Sequence, residues 1–266
     1  MSANQLQSMQ DKVVLVTAGG SGIGRVISES FLTLGATVHI CDASQAMLDE
    51  CQTANPELGA SLCDVSDPSG VDALFKTIES KYDRLDVLVN NAGIAGPTAA
   101  VEDIEIKAWQ QTLDIDISGT FYVTRLAVPY LKRAGGGSIV NMSSSAGLIG
   151  CPLRSPYVAA KWAIVGLSKT WAMELGAFNI RVNAICPGSV EGPRIDAVIE
   201  RDAVERGVSA EEIRDIYQRQ SSLRKFISAE DVASMVTYLS SDAGVSISGQ
   251  AISVDGHTES LSNWLD

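Results

Sequence analysis

Short β-branched runs alternate with longer helical patterns along almost the whole chain, and few architectures accommodate that alternation. Strands are expected at 12–17, 37–41, 60–63, 86–90, 138–142, 180–185 and 251–254. Helices are expected at 23–34, 67–82, 107–133 (as one or two), 156–178 and 229–240. Asp67 is a ready N-cap for the second helix, with Pro68 in its first position. The run 86–90 is as densely apolar as a strand buried on both faces. This order of elements gives a doubly wound parallel sheet with helices on both faces, here a single α/β domain spanning 1–266. In such a sheet ligands bind beyond the carboxyl ends of the strands. Thr17, Asp42, Asp64, Asn91, Ser144 and Pro187 are all expected there. The stretch 191–227 is charged and helix-prone, with apolar residues at helical spacing, and reads as a helical lid over those ends.

Composition narrows the function. The net charge of -12 argues against nucleic acid, which calls for a basic face. Cys41, Cys51, Cys63, Cys151 and Cys186 lack Cys-x-x-Cys spacing and read as free thiols in a reducing compartment. The two histidines, His39 and His257, lie far apart, so no metal site is expected. Residues 1–12 lack the pattern of a signal peptide, and no apolar run approaches the roughly eighteen residues of a membrane span. A cytoplasmic location is the expectation.

Between the first strand and the first helix stands Thr17-Ala18-Gly19-Gly20-Ser21-Gly22-Ile23-Gly24. Glycines let the backbone approach a pyrophosphate, and a helix N-terminus offers the anion free N–H groups and a positive dipole end. Gly19, Ser21, Gly22, Ile23 and Gly24 are the candidate contacts. Asp42 closes the second strand, about twenty residues on, the spacing of a carboxylate that binds ribose hydroxyls. It would repel a 2′-phosphate, and no Arg or Lys lies within the turn, so NAD is expected over NADP. Tyr157 and Lys161 are one helical turn apart and share a face.

These motifs resemble those of the short-chain dehydrogenase/reductase family, over nearly the whole chain from about Asp11 to Gly256. The turn resembles Thr-Gly-x-x-x-Gly-x-Gly, with Ala18 in place of the first glycine. The resemblance implies a Rossmann-type fold and a nicotinamide cofactor. It makes Asp64-Val65 the adenine-contacting pair and lays Asn91 and Gly93 of Asn90-Asn91-Ala92-Gly93 along the cofactor. It makes Tyr157 the general acid/base, Lys161 its cationic neighbour and ribose ligand, and Ser144 the donor to the substrate oxygen. Ser145 is a candidate substrate contact. Asp116 stands where relatives carry an asparagine that anchors a water, and takes a supporting catalytic role. Pro187, Gly188 and Val190 resemble the segment at the nicotinamide, with Gly192 where a threonine is common. Relatives commonly assemble as tetramers, and Trp264 in the tail is a candidate for docking on a neighbouring subunit.

On the substrate side, Arg154 and Arg194 suit an anion, although solvation or pairing with the lid's Glu and Asp residues is the commoner fate of such arginines. The expected activity is an NAD-dependent interconversion of a secondary alcohol and a ketone on a small polar substrate: a sugar, polyol or hydroxy acid. Two alternatives stay open. One is a dinucleotide-binding sensor or scaffold that has lost catalysis, kept alive by Ala18, Asp116 and Gly192. The other is a ketoacyl-type reductase, against which Asp42 argues.

Overall fold

The computed structural model describes residues 7–261, so Trp264 lies outside the described residues. Seven strands form one parallel sheet: β1 (Val13–Thr17), β2 (Thr37–Asp42), β3 (Gly59–Leu62), β4 (Val87–Asn90), β5 (Gly137–Met142), β6 (Ile180–Pro187) and β7 (Ala251–Val254), in the order β3-β2-β1-β4-β5-β6-β7. Side chains alternate across each strand. Val14 and Val16, Val87 and Val89, and Val140 and Met142 enter one core layer, while Leu15, Leu88 and Ile139 enter the other. The first layer is closed by helices α1 (Gly22–Thr33), α2 (Gln45–Ala54) and α9 (Ala229–Ser240). The second is closed by α3 (Pro68–Tyr82), α5 (Thr120–Arg133) and α6 (Ser155–Leu175). The chain winds outward in opposite directions from β1 and β4, so the crevice of the fold opens at their carboxyl ends.

Helix α2 is the one α-helix of the described residues to which the sequence expectation gives no span, and the short 3-10 turns at Val101–Asp103, Ser145–Gly147 and Asp242–Gly244 are likewise unexpected. The few apolar positions of α2 sit among polar ones, but Ser44 caps it by accepting from the Met47 N–H. Pro187 closes β6 and does not follow it. The expected helical run 107–133 is divided into α4 (Ile106–Leu113) and α5 by a wide π turn, Asp114–Gly119. Within the stretch 191–227 stand α7 (Pro193–Arg206) and α8 (Ala210–Arg219), joined by their own small core of Ile199, Ala203, Ile213 and Phe226. No helix of the described residues is long and apolar enough to cross a membrane.

Ala18 adopts a left-handed conformation at φ 49°. That costs an alanine roughly 1–2 kcal/mol, more than the roughly 0.4–1 kcal/mol a glycine forfeits through unfolded-chain freedom. Ala18→Gly is therefore expected to stabilise the fold by about 1 kcal/mol, read as a higher urea midpoint at unchanged slope. A lower midpoint would mean that the alanine methyl contributes packing worth more than the strain.

Candidate active site

The Gly-rich turn after β1 is held from below. The Thr17 hydroxyl accepts the Asn91 and Ala92 N–H groups, both at 3.0 Å, and the Asn91 amide donates to the carbonyls of Thr17 and Ala18, both at 3.1 Å. Gly24 is required by close approach, because a Cβ there would lie 2.1 Å from the Ala18 carbonyl oxygen. Ser21 provides no side-chain cap for α1 and no acidic residue enters its first turn, whereas Ser44 caps α2 and Asp67 caps α3. The first N–H groups of α1 are thus left for an anion. Gly22 has φ 51°, and nothing lies within 4 Å of where its Cβ would be. A pyrophosphate fits this donor set. Asp42 reaches over the same turn, accepting from the Gly20 N–H at 3.2 Å and the Ser44 N–H at 3.0 Å.

Farther along the crevice, Asp64 is exposed and accepts from the Ser66 N–H and hydroxyl, while Val65 is buried against Gly119. At the sheet centre Asn90 donates to Thr124 and Asn141, and Asn141 donates to Ser168, tying β4, α5, β5 and α6 together. The Gly188 N–H bonds to Val254. Beyond it, the Ile227 N–H donates to Ser189 and the Ile227 carbonyl accepts from Glu191. Both bonds use the groups of Ile227, so the amide and carbonyl of Val190 face the opposite side.

The π turn, β5 and α6 meet at the next stretch of the crevice. Ser143 donates to the Lys161 carbonyl at 2.8 Å and pins α6 to the end of β5. Gly147 allows this approach, since a Cβ there would meet the Ser143 oxygen at 2.3 Å. Lys161 is only 4 % exposed. Its ammonium donates to the Met142 carbonyl at 3.1 Å, lies 3.4 Å from Asp116 Oδ2 and 5.4 Å from the Tyr157 ring centroid. Asp116 is 1 % exposed, and its Oδ1 accepts from the Ile94 N–H at 2.8 Å. A Cβ at Gly93 would stand 3.2 Å from the same carboxylate, so a small residue is needed there.

Tyr157 is half-buried at this junction. Burial raises its pKa, but Lys161, Arg194, a hydrogen bond with Ser144 and Arg154 together outweigh it, leaving the phenol below its ordinary value. Ser144 Oγ accepts from the Ala146 N–H at 3.2 Å, which keeps its own proton free to be donated. The structure thus brings Ser144, Tyr157, Lys161 and Asp116 together as the sequence suggests.

Three side chains depart from expectation. Ser145, taken as a substrate contact, is 2 % exposed and donates to the Pro187 carbonyl and Asp255 Oδ2. It braces the ends of β6 and β7. Arg154 is not solvated: it is 7 % exposed, donates to the Ala95 carbonyl at 2.7 Å and stands 5.0 Å from the Tyr157 ring centroid. Arg194 remains exposed but pairs with no carboxylate of the described stretch 191–227; it donates to the Gly93 carbonyl at 3.3 Å. Sequence reasoning overlooked Thr17 as a clamp and the backbone groups of Ile94 and Ala95. The Asn-Asn-Ala-Gly segment just before them was the available signal. Among the described residues, no cluster of three or more His, Cys, Asp or Glu side chains is placed to hold a metal ion. His39 is buried between Tyr82 and Ser61, and burial pushes its pKa down to about 4.

Known proteins resemble this chain in sequence and in fold over nearly its whole length. A family model described as enoyl-(acyl carrier protein) reductase matches residues 17–257. The 3-oxoacyl-[acyl-carrier-protein] reductase of Thermotoga maritima is 34% identical over 252 residues, covering 93% of this chain and 98% of its own. The D-beta-hydroxybutyrate dehydrogenase of Rhizobium meliloti is 33% identical, with 92% and 97% covered. Among solved structures, NAD+-bound xylitol dehydrogenase superimposes with a TM-score of 0.89 at 25% identity, covering 92% of this chain and 98% of that one. With a family model matching residues 17–257 and a relative 34% identical over 93% of this chain, the chain belongs to the short-chain dehydrogenase/reductase family of oxidoreductases.

Proposed function

We propose that the protein is an NAD-dependent dehydrogenase/reductase that interconverts a secondary alcohol and a ketone on a small polar substrate, with Tyr157 as general acid/base. The observation that carries this is a phenol with lowered pKa, bonded to Ser144 and facing a buried ammonium at the carboxyl ends of the strands. In the oxidative direction the Tyr157 phenolate takes the hydroxyl proton; in the reductive direction the phenol returns it. Ser144 donates to the substrate oxygen and holds it as charge shifts. Lys161, fixed by Met142 and Asp116, keeps a positive charge beside the phenolate and would hold the nicotinamide ribose. The uncapped start of α1 would hold the pyrophosphate, Asp42 the adenosine ribose, Asp64 and Val65 the adenine, and Asn91, Gly93, Pro187, Gly188 and Val190 the remaining length. When bound, the nicotinamide supplies the acceptor or donor of hydride. The same reading takes the protein as a cytoplasmic homo-oligomer, a tetramer by family resemblance.

The test is a panel of sugars, polyols, hydroxy acids and ketoacyl thioesters, followed at the absorbance of reduced nicotinamide, with NADH binding read by fluorescence. Tight NADH binding with turnover of nothing would favour a sensor. The cofactor choice has its own test. Removing the carboxylate at the end of β2 removes its repulsion of a 2′-phosphate, so Asp42→Ala should raise the NADP-to-NAD ratio of kcat/KM by about tenfold or more, equivalent to roughly 1.4 kcal/mol. An unchanged ratio would reduce Asp42 to a brace for the Gly20 turn.

A further inference from the structure

Two arginines flank the proposed acid/base, and neither has a carboxylate partner among the described residues. The acids around them are otherwise engaged. Asp116 is held by Lys161 and the Ile94 N–H, and Asp255 accepts from Ser145 and the His257 N–H. Glu191 and Asp196, which bracket Arg194 in sequence, are both taken by Arg214, and Asp202 by Arg206. Arg154 is more than nine-tenths buried, and its Nε has no hydrogen-bond partner. A buried guanidinium N–H without an acceptor is costly to maintain, and an arriving anion would satisfy it. Both arginines are anchored to the same loop, Arg194 on the Gly93 carbonyl and Arg154 on the Ala95 carbonyl, and both lie near Tyr157. In a chain of net charge -12 this is a local positive patch beside Tyr157, without a carboxylate counter-ion among the described residues.

We infer that Arg154 and Arg194 clamp an oxyanion group of the substrate, carboxylate or sulfonate, so that the substrate is a hydroxy acid and not a neutral sugar or polyol. This rests on the proposed oxidoreductase activity and narrows it. The oxyanion takes no part in the bond changes: hydride leaves the carbinol carbon for the nicotinamide, the hydroxyl proton goes to Tyr157, and the clamp fixes which carbon is presented.

The test pairs each anion with a neutral counterpart: 3-hydroxybutyrate with its methyl ester, 2-hydroxypropane-1-sulfonate with 1,2-propanediol, and glucuronate with glucose. Binding to the NADH-loaded full chain is read by saturation-transfer NMR, and turnover with NAD by absorbance. At least one anion should bind about tenfold or more tightly than its counterpart and lose that advantage as salt is raised. Arg194→Ala and Arg154→Gln should each abolish most of the difference through KM while leaving NADH affinity unchanged. Circular dichroism checks the fold of Arg154→Gln, and Arg194→Ala, at an exposed residue, tests the clamp independently of it. The pair that responds distinguishes carboxylate from sulfonate. Equal binding of all pairs, absence of binding by every anion, or anion binding indifferent to both substitutions would overturn the clamp. So would an Arg194→Ala effect confined to the KM for NAD, which would make Arg194 a cofactor ligand. Tyr157-dependent turnover of a neutral alcohol would sink the clamp and spare the oxidoreductase reading; failure to bind NADH would sink the latter.

Discussion

Tyr157→Phe is expected to lower kcat for alcohol oxidation by about a thousandfold, within the roughly hundred- to ten-thousandfold range of a positioned acid/base, and to leave NADH affinity nearly unchanged. The substitution removes one oxygen and keeps the ring that packs between Lys161 and Arg154. The fold should therefore survive, and the loss should fall on kcat more than on KM. The pH profile supplies the sharper readout. Oxidation needs the phenolate, so kcat/KM should rise with pH through the Tyr157 pKa. That pKa is lowered, because the cations and the Ser144 bond overcome burial. The midpoint of the rising limb should thus lie below the value of about 10 for a free phenol, and reduction, which needs the neutral phenol, should fall over the same interval. In the phenylalanine variant this limb should vanish. A profile unchanged in shape, or a kcat lowered less than about tenfold, would assign the proton to another group.

Much of this geometry was legible in the sequence because its signals are local. Strand β4 is apolar at every position before Asn90 and so announces a strand buried on both faces. Tyr157 and Lys161 converge because a helix repeats every 3.6 residues. Gly19 and Gly24 of the first turn are demanded by close approach and Gly22 by its positive φ, constraints that a tight strand-to-helix turn imposes locally. What escaped was decided in three dimensions. No periodicity encodes the π turn, which carries Asp116 into contact with Lys161. The fate of the arginines depended on which acids reached which cations. Arg214 takes Glu191 and Asp196 and so leaves Arg194 for the Gly93 carbonyl, an outcome of how α7 and α8 pack. Ser145 and its neighbours Ser143 and Ser144 are identical in type, and only the positions of Pro187, Asp255 and Lys161 separate a brace from a donor.

The buried pair beneath the tyrosine gives the second large effect. Lys161→Met should destabilise the fold by about 3–5 kcal/mol, the usual cost of leaving a buried charge without its partner, and should also abolish most activity. Asp116 would be left almost wholly buried with the Ile94 N–H as its remaining support, since its Oδ2 has no other hydrogen-bond partner. Adding Asp116→Asn removes the stranded charge and retains an acceptor for that N–H. The double variant should therefore recover most of the lost urea midpoint, with a coupling within the roughly 0.5–3 kcal/mol found for contacting residues. Activity should not return, because the tyrosine still lacks its cation. Asp116→Asn alone should behave differently again. It removes a negative charge near the ammonium, so the phenolate faces a less neutralised cation and the oxidative limb should move to lower pH. A double variant no more stable than Lys161→Met would mean that the methionine fails through packing. A limb that moves upward in Asp116→Asn would mean that the aspartate acts by holding the Lys161 side chain in position beside Tyr157.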